Sequence, residues 1–252
     1  SGRTRPMRSI TDVFKAVESG ACNYGVVPVE NSTEGMVTHT LDSFATSPLS
    51  ICGEVLLRIG QNLLTHAATL KDIRRVYSHS QSLAQCRGWL AENLPDAETI
   101  TVSSNAEGAR LAAENPAWAA LASERAAAQF GLHIVAHAVQ DQASNRTRFA
   151  IICLPQTMGM PRPTGRDCTS IVVSVPNRPG SVHDLLTPLK KHGVSMTRFE
   201  SRPAKSGQWE YYFYIDIAGH IEQPHLAAAL AELQALSSFY KVLGAYPLGQ
   251  DV

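Results

Sequence analysis

The sequence has no excess of charge of either sign, since its 252 residues include 22 Lys and Arg and 22 Asp and Glu. Binding to nucleic acid or to an acidic membrane surface usually depends on a strong positive excess. No apolar run approaches the roughly 20 residues that cross a bilayer, and the N-terminus has no apolar signal-peptide core. We therefore expect a soluble protein that has neither nucleic acid nor a membrane as a partner.

Cysteine is scarce, and its spacing is typical of neither a disulfide framework nor a zinc site. The five cysteines are widely scattered, at Cys22, Cys52, Cys86, Cys153 and Cys168. An odd number of scattered cysteines favours a reducing, cytoplasmic location.

Motifs for nucleotide and metal chemistry are absent from the sequence. There is no glycine-rich phosphate loop, no dinucleotide fingerprint and no Gly-x-Ser-x-Gly turn. His133 and His137 are four residues apart, but the residues between them are typical of a strand, so we do not expect this pair to bind a metal. The sequence predicts no cofactor and no metal site.

The first part of the chain, residues 1–154, alternates short β-branched runs with helical stretches, which predicts an α/β domain. Residues 24–29 form the first clear strand, which ends in the polar turn Glu30-Asn31-Ser32. Open α/β sheets place ligands at the carboxyl ends of their strands. This turn is therefore a candidate binding site.

Three further predicted strands, residues 73–77, 99–102 and 119–122, each lead into a polar helix start. The starts are Ser78-His79-Ser80-Gln81, Ser103-Ser104-Asn105 followed by a helix over 106–115, and Ser123 followed by a helix that stops near Gly131. The first of these helices carries Leu83, Cys86, Leu90 and Leu94 on one face. Free N–H groups at helix N-termini suit a carboxylate. For any one helix, the alternative that these residues are only N-caps is favoured.

The second part of the chain follows a stretch rich in Pro and Gly, residues 155–167, which we interpret as a linker. Residues 168–252 predict a ferredoxin-like βαββαβ domain. Its elements are strand 169–175, helix 181–192, strands 194–202 and 209–217, helix 224–236 and strand 240–246. Leucine stripes on both helices are expected to cover one face of the sheet.

Five motifs along nearly the whole chain resemble those of the bacterial prephenate dehydratases of the P-protein type, which carry a C-terminal ACT regulatory domain. They are Tyr-Gly-Val-Val-Pro-Val-Glu-Asn-Ser at 24–32, Ser-His-Ser-Gln at 78–81, Asn-Arg-Thr-Arg-Phe at 145–149, Asn-Arg-Pro-Gly at 177–180 and Glu-Ser-Arg-Pro at 200–203. Each motif is weak alone, whereas all five in this order are highly specific.

The resemblance implies a two-lobed catalytic domain like that of periplasmic binding proteins, with prephenate held between the lobes. It implies the decarboxylating dehydration of prephenate to phenylpyruvate in L-phenylalanine biosynthesis, and feedback regulation by L-phenylalanine. It also implies a homodimer or homotetramer that binds phenylalanine at its ACT domains.

The resemblance assigns to Thr147 the donation of a hydrogen bond or proton to the departing hydroxyl group. Arg148 could bind a substrate carboxylate or could be the partner in a structural ion pair, and strand alternation places its side chain opposite to that of Thr147. The other predicted substrate-binding residues are Asn31, Ser32, Ser78, His79, Gln81, Ser103, Ser104, Asn105, Ala106 and Phe149.

The predicted effector site lies in the second domain. Its residues are Asn177, Arg178, Pro179, Gly180, Ser181, Val182, Glu200, Ser201, Arg202 and Pro203. The alternative for residues 200–203 is that they merely end a strand with an ion pair.

Two alternative functions remain open. Arogenate dehydratase acts on a substrate with an amino group where prephenate has a ketone. A catalytically impaired phenylalanine-binding fragment is the second alternative, because the family's strand and Gly-Pro-x-Gly-Thr-Phe turn have no counterpart before Met7. The sequence also leaves open whether a chorismate mutase segment precedes residue 1.

Overall fold

The computed structural model describes residues 3–33, 35–58, 60–142, 145–204 and 211–249. The chain divides into two compact units. Residues 1–57 and 146–252 form what we call the first unit, and residues 58–145 form the second unit. Residues 1–154, the predicted catalytic domain, therefore contribute to both units, while the predicted C-terminal domain lies in the first.

The helices and strands follow one another along the chain in three groups. Residues 3–58 contain α1 (Ile10–Glu18), β1 (Tyr24–Asn31), β2 (Gly35–Met36), α2 (Thr38–Thr46) and β3 (Ser50–Arg58). Residues 60–142 contain β4 (Asn62–Thr65), β5 (Arg75–Ser78), α3 (Ser80–Gln85), α4 (Arg87–Asn93), β6 (Glu98–Thr101), α5 (Asn105–Ala112), β7 (Trp118–Ala122), α6 (Glu124–Phe130) and β8 (His133–Ala136). Residues 145–249 contain β9 (Arg146–Cys153), α7 (Pro155–Met158), β10 (Asp167–Ser174), α8 (Ser181–Lys191), β11 (Met196–Pro203), β12 (Tyr211–Ala218), α9 (Pro224–Leu236) and β13 (Phe239–Pro247).

The first of the two sheets in the first unit has the strand order β2-β1-β9-β3, and β1 and β9 are antiparallel. Helix α1 starts at Ser9, whose hydroxyl accepts a hydrogen bond from the N–H of Asp12, and it buries Phe14 and Val17. A Cβ atom at Gly25 of β1 would lie 2.7 Å from the Val13 side chain, so the glycine lets α1 pack closely on the strand.

The second sheet of the first unit has the order β11-β12-β10-β13, and this confirms the predicted βαββαβ domain. Its two helices pack with one face of the sheet in a core that includes Leu185, Leu189, Leu226, Leu230 and Leu233. The opposite face shares a core with the first sheet, to which it contributes Cys168, Val172, Tyr214, Leu243 and Tyr246. The C-terminal domain is therefore covered on both faces.

Polar side chains of the second sheet also hold helix α2. Their bonds run from Tyr214 Oη to the carbonyl of Leu41 (2.8 Å), from Arg202 Nη2 to Asp42 Oδ1 (3.2 Å), and from Lys241 Nζ to the carbonyls of Phe44 (2.7 Å) and Ser47. A cation at the last carbonyls of a helix satisfies groups that have no partner within the helix. Burial lowers the pKa of Lys241.

The second unit contains one sheet in the order β6-β5-β7-β4-β8. Strand β5 pairs in parallel with both β6 and β7, so these three strands end at the same edge of the sheet. Helix α5 packs closely on β5 at Gly108. A Cβ atom there would lie 2.8 Å from the carbonyl oxygen of Tyr77, so the contact requires glycine. The predicted strands and their helix starts are thus confirmed as neighbours.

One local prediction, that of a single helix after Ser78, was wrong. The helix predicted after Ser78 is broken at Cys86 into α3 and α4, because the carboxylate of Asp141 accepts hydrogen bonds from the N–H groups of Gly88 (2.8 Å) and Trp89 (2.9 Å) and so starts a new helix. The predicted leucine stripe nevertheless packs in the core of the second unit. The linker predicted over 155–167 contains the short helix α7, and Asp167 already belongs to β10.

Element ends differ by a few residues elsewhere. Helix α6 ends at Gly131, as predicted, and the left-handed backbone of this residue (φ 67°) favours glycine. The predicted start of a strand at Trp209 lies outside the described residues. Among the residues that the structure describes, no helix is long and apolar enough to span a membrane, and no three His, Cys, Asp or Glu side chains are grouped so that they could hold a metal.

The contact between the two sheets of the first unit gives a test of the fold. A Cβ atom at Gly244 of β13 would overlap the carbonyl oxygen of Ile51 in β3, and a backbone atom cannot move away as a flexible side chain can. We expect Gly244→Ala to lower the free energy of unfolding by at least about 2 kcal/mol, measured by urea unfolding followed by circular dichroism. Gly60→Ala is the control, because an added Cβ there meets no atom within 4 Å. Equal stabilities of the two variants would contradict the close contact.

Candidate active site and effector groove

A side-chain hydrogen bond joins the end of β1 to the start of β9. Asn31 lies opposite Thr147 in the strand register, and its Nδ2 donates to Thr147 Oγ1 at 2.9 Å. Beside this pair, Ser32 and Arg146 exchange two bonds of 2.9 Å, since each backbone N–H donates to an oxygen of the other residue. The structure therefore brings together three predicted residues, Asn31, Ser32 and Thr147.

The orientation of the Asn31 amide decides what the Thr147 hydroxyl group can do. The N–H of Thr33 donates to Asn31 Oδ1 at 2.9 Å, so the amide oxygen faces Thr33 and the amide nitrogen faces Thr147. An amide NH2 group only donates, which makes the Thr147 oxygen an acceptor in this bond. Within the described residues the hydroxyl hydrogen has no acceptor. Thr147 is half-buried, and its hydroxyl group can donate to a ligand.

The following residue, Arg148, belongs to a half-buried group of charges that we call the Arg148 cluster, made of Glu30, Glu54, Arg148, Arg198 and Asp216. Arg148 Nη1 lies 3.0 Å from Glu54 Oε2 and 2.8 Å from Asp216 Oδ2, and 12% of its side chain is exposed. Burial acts to lower the pKa of Arg148, but Asp216, Tyr246 and Glu54 together outweigh it, and the pKa is raised. These contacts favour the structural ion pair over the binding of a substrate carboxylate.

Asp216 lies at the centre of the cluster. Its Oδ2 lies 2.6 Å from Arg198 Nη1 as well as 2.8 Å from Arg148 Nη1, and its Oδ1 accepts from the Ser170 hydroxyl at 2.5 Å. Arg198 Nη2 forms a further ion pair with Glu30. One carboxylate of the second sheet therefore bridges two arginines, one from each sheet.

Phe149, another predicted binding residue, is half-buried and lies opposite Pro28 in the register of β1 and β9. Strand alternation places its side chain on the same face of β9 as Thr147. Its position is therefore compatible with the predicted contact.

In the second unit, the side chain of Asn105 links the starts of α3 and α5. Asn105 Oδ1 accepts from the hydroxyl groups of Ser78 (2.8 Å) and Ser82 (3.1 Å) and from the N–H of His79 (3.1 Å). Ser78 is fully buried and also contacts the carbonyl of Leu121 at 2.8 Å. These bonds favour a structural role for Ser78 and Asn105, which hold the helix starts in place.

The more exposed residues at these helix starts act as caps. Ser104 accepts a hydrogen bond from the N–H of Glu107 at 3.1 Å, and the ring of His79 accepts from the N–H of Gln81 at 3.4 Å. Capping, the alternative favoured for each helix alone, is thus confirmed for Ser104. The predicted residues that lie exposed at this edge of the sheet are Gln81, Ser103, Ser104 and Ala106.

A groove on the second sheet of the first unit contains four of the predicted effector residues. It is lined by Val175, Pro176, Asn177, Arg178, Ser181, Val182, Tyr211 and Phe213. Helix α8 begins here after Gly180, whose left-handed backbone (φ 83°) favours glycine. Because glycine has no side chain, the start of the helix has no side-chain cap. The Oγ atom of Ser181 is buried and has no hydrogen-bond partner among the described residues.

The other predicted effector residues are divided between the two faces of the sheet. Ser201 and Pro203 lie opposite Phe213 and Tyr211 in the strand register, on the face of the groove. Glu200 and Arg202 alternate with them and therefore lie on the other face, where Arg202 pairs with Asp42. The alternative that this motif forms an ion pair is confirmed for Arg202.

Sequence reasoning missed three members of the Arg148 cluster, Glu54, Arg198 and Asp216. One signal was present in the sequence of β12, Tyr-Tyr-Phe-Tyr-Ile-Asp-Ile-Ala, where a single acid stands in an apolar strand. A buried acid needs a cation or several donors. The identity of its partners depends on contacts between distant strands, which the sequence does not reveal.

Comparison with known proteins places the chain in a family. Residues 1–157 match the family model of prephenate dehydratase, and residues 169–235 match that of the ACT domain. The bifunctional chorismate mutase/prephenate dehydratase of Stutzerimonas stutzeri is 47% identical over 97% of this chain and 66% of its own length. This chain thus spans about two thirds of that relative.

Two solved structures are similar over nearly the whole chain. A prephenate dehydratase from Arthrobacter aurescens in complex with L-Phe is 35% identical, with a TM-score of 0.85 over 96% of this chain and 80% of that one. GqqA, described as a novel type of quorum quenching acylase, is 32% identical, with a TM-score of 0.84 over 97% of this chain and 89% of that one. From the matched models and these identities, the chain belongs to the prephenate dehydratase family and carries an ACT domain after its dehydratase region.

Proposed function

We propose that this protein is a prephenate dehydratase, which converts prephenate into phenylpyruvate for phenylalanine biosynthesis and which phenylalanine regulates. The catalytic part of this proposal is supported by the hydrogen bond from the Asn31 amide to the Thr147 hydroxyl oxygen. Because the oxygen accepts in this bond, the hydroxyl hydrogen of Thr147 can be donated to a ligand. The effector part is carried by the groove at the start of α8.

The reaction requires little from the protein except that it position the substrate and supply one proton. As the bond from the ring to its carboxylate breaks, carbon dioxide leaves and the electron pair enters the ring. The ring hydroxyl then departs with the electrons of its bond to carbon, and the ring becomes aromatic. Hydroxide is a poor leaving group unless a hydrogen bond or a proton offsets its charge.

Thr147 is the residue that we assign to this step. An isolated threonine is not acidic at physiological pH, so its hydroxyl group acts as a hydrogen-bond donor or proton relay toward the departing oxygen. The bond from Asn31 polarises the hydroxyl group in the right sense, because an oxygen that accepts a hydrogen bond becomes a better donor.

Within the first unit, we assign a carboxylate of the substrate to the turn at Asn31 and Ser32, which lies beside the Thr147 hydroxyl group. Arg148 is not part of this proposal, because Glu54 and Asp216 already bind its guanidinium group.

We propose no acylase activity, although one similar structure carries that description. An acylase of the nucleophilic type needs a base that removes the proton of the attacking hydroxyl group. Among the described residues, the partner of Thr147 is an amide that donates to it. The arrangement suits donation rather than attack.

The assay of Thr147 variants tests the catalytic proposal. We expect Thr147→Val, which keeps the shape and removes the hydroxyl group, to lower kcat for phenylpyruvate formation by about 100-fold or more, the usual effect of losing one such donor. Thr147→Ser, which keeps a hydroxyl group, should retain most of the activity. Thermal unfolding checks that both variants are folded. A Thr147→Val enzyme with a kcat close to that of the parent would refute the assignment.

The same assay separates the alternatives. Arogenate in place of prephenate gives phenylalanine rather than phenylpyruvate, so the product distinguishes an arogenate dehydratase. A chain that binds phenylalanine and forms neither product is the catalytically impaired alternative.

The effector groove has the donors and the apolar surface that an aromatic amino acid requires. The start of α8 has no side-chain cap, so beyond Ser181, whose N–H donates to the carbonyl of Arg178 at 3.2 Å, the N–H groups of its first turn suit a carboxylate. Tyr211 and Phe213 supply an apolar wall. The buried hydroxyl group of Ser181 is free to bind an ammonium or carboxylate group. Asn177 and Arg178 complete this end of the groove.

Two serine variants test the effector site by calorimetry. We expect Ser181→Ala to weaken phenylalanine binding about fivefold, which corresponds to one lost hydrogen bond. Ser174→Ala is the matched control, because its hydroxyl group is also buried without a partner but does not line the groove. Equal binding by the two variants would place the effector elsewhere.

The remaining sequence-based expectations are also proposals. The proposed domains are residues 1–154, the linker 155–167 and residues 168–252, and the limits of the two matched family models support them. A cytoplasmic location is proposed from the scattered cysteines, and a homodimer or homotetramer is proposed from the family resemblance. Light scattering of the purified chain gives its mass and decides between the two assemblies.

A further inference from the structure

The Arg148 cluster lies directly behind the proposed catalytic pair. Glu30 precedes Asn31 in β1, and Arg148 follows Thr147 in β9. Glu30 and Arg148 are opposite each other in the strand register, just as Asn31 and Thr147 are. Two of the five charges in the cluster are therefore the chain neighbours of the two residues that form the candidate active site.

Two other members of the cluster belong to the ACT domain. Arg198 is in β11 and Asp216 is in β12. Arg198 contacts Glu30 through Nη2 and Asp216 through Nη1 (2.6 Å), and Asp216 contacts Arg148 at 2.8 Å. Each catalytic strand is thus connected to the ACT domain by an ion pair next to its catalytic residue.

One of these two ACT strands, β12, lines the effector groove, and the other, β11, pairs with it. Phe213 lines the groove and is three residues from Asp216 in β12. Ser201, opposite Phe213, is three residues from Arg198 in β11. Asp216 is buried, and a buried charge that loses its partner is strongly destabilising. We therefore expect a ligand that shifts β12 to shift the arginines bound to Asp216 as well.

We propose that Asp216 and Arg198 are positioning residues for Thr147. Through them, binding of a ligand in the effector groove changes the position of the Thr147 hydroxyl group. The inference depends on the proposed function for its effector and its reaction. Asp216 and Arg198 would contact neither the substrate nor the effector. The Arg148 cluster would instead be the structural element whose arrangement depends on the ligands of both sites.

Asp216→Asn tests this proposal, because it keeps the shape of the side chain and removes the charge that bridges the two arginines. We expect this variant to bind phenylalanine with a dissociation constant within about threefold of the parent value, by calorimetry. We expect its kcat to fall about tenfold or more at unchanged KM, and saturating phenylalanine no longer to alter its rate. Retained binding with lost regulation is a combination that general destabilisation does not produce.

Glu232→Gln is the matched control. Glu232 is an acid of the same domain that pairs with Lys191 at 2.7 Å and with His192 at 2.9 Å, on the exposed surface of the helices. We expect this variant to keep both the rate and the response to phenylalanine. If Asp216→Asn fails to fold, Arg198→Lys replaces it, since lysine keeps the charge but cannot contact Glu30 and Asp216 with two separate nitrogens.

Hydrogen exchange gives a readout that does not require activity. In the absence of ligand, exchange of the backbone amides of residues 146–149 should be faster in Asp216→Asn than in the parent and unchanged in Glu232→Gln. Unchanged exchange at these amides, or regulation of Asp216→Asn equal to that of the parent, would overturn the positioning role. A parent chain that forms no phenylpyruvate would instead overturn the proposed function, while the exchange comparison would still decide the role of Asp216.

Discussion

The packing of the two sheets in the first unit depends on ion pairs among three acids and two arginines, all of them buried or half-buried. Each of five strands contributes one of them, Glu30 from β1, Glu54 from β3, Arg148 from β9, Arg198 from β11 and Asp216 from β12. A buried charge without a partner is strongly destabilising, by several kcal/mol. The ACT sheet contributes one acid and one base, and the dehydratase sheet contributes two acids and one base. Asp216 and Arg198 of the ACT sheet pair with Arg148 and Glu30 of the dehydratase sheet, which makes the ACT domain part of the environment of β1 and β9.

Close backbone contact reinforces this constraint. Gly244 in β13 packs on the backbone of Ile51, and the N–H of Gly249 donates to Glu54 Oε1 at 3.1 Å. Glycine at these positions lets the last strand of the ACT domain approach β3 more closely than any side chain would allow. The carboxylate of Glu54 is consequently held from one side by the backbone and from the other by Arg148, which fixes the position of the arginine that follows Thr147.

Local sequence signals predicted the fold well wherever a single segment determined the result. The leucine stripes of α8 and α9, the glycine that ends α6 and the alternation that separates Thr147 from Arg148 are all properties of neighbouring residues. The break at Cys86 could not be predicted in this way, because the carboxylate that causes it comes from Asp141, more than 50 residues later. The same limit applies to Arg148, whose two possible roles are distinguished only by acids from β3 and β12. The motifs located the candidate sites, while long-range contacts decided which of their residues are available to a ligand.

Those contacts divide the motif residues into two groups with different physical tasks. Ser78, Asn105, Arg148 and Arg202 each bind polar groups of neighbouring elements, so they hold strands and helix starts in position. Thr147 and Ser181 each retain a hydroxyl group with an unused hydrogen among the described residues. A reaction driven by the formation of an aromatic ring needs only one well-placed donor, and a donor is well placed when its neighbours cannot move. In the reaction that we propose, the fixed neighbours of Thr147 compensate for its low acidity, because they hold the hydroxyl group in one place.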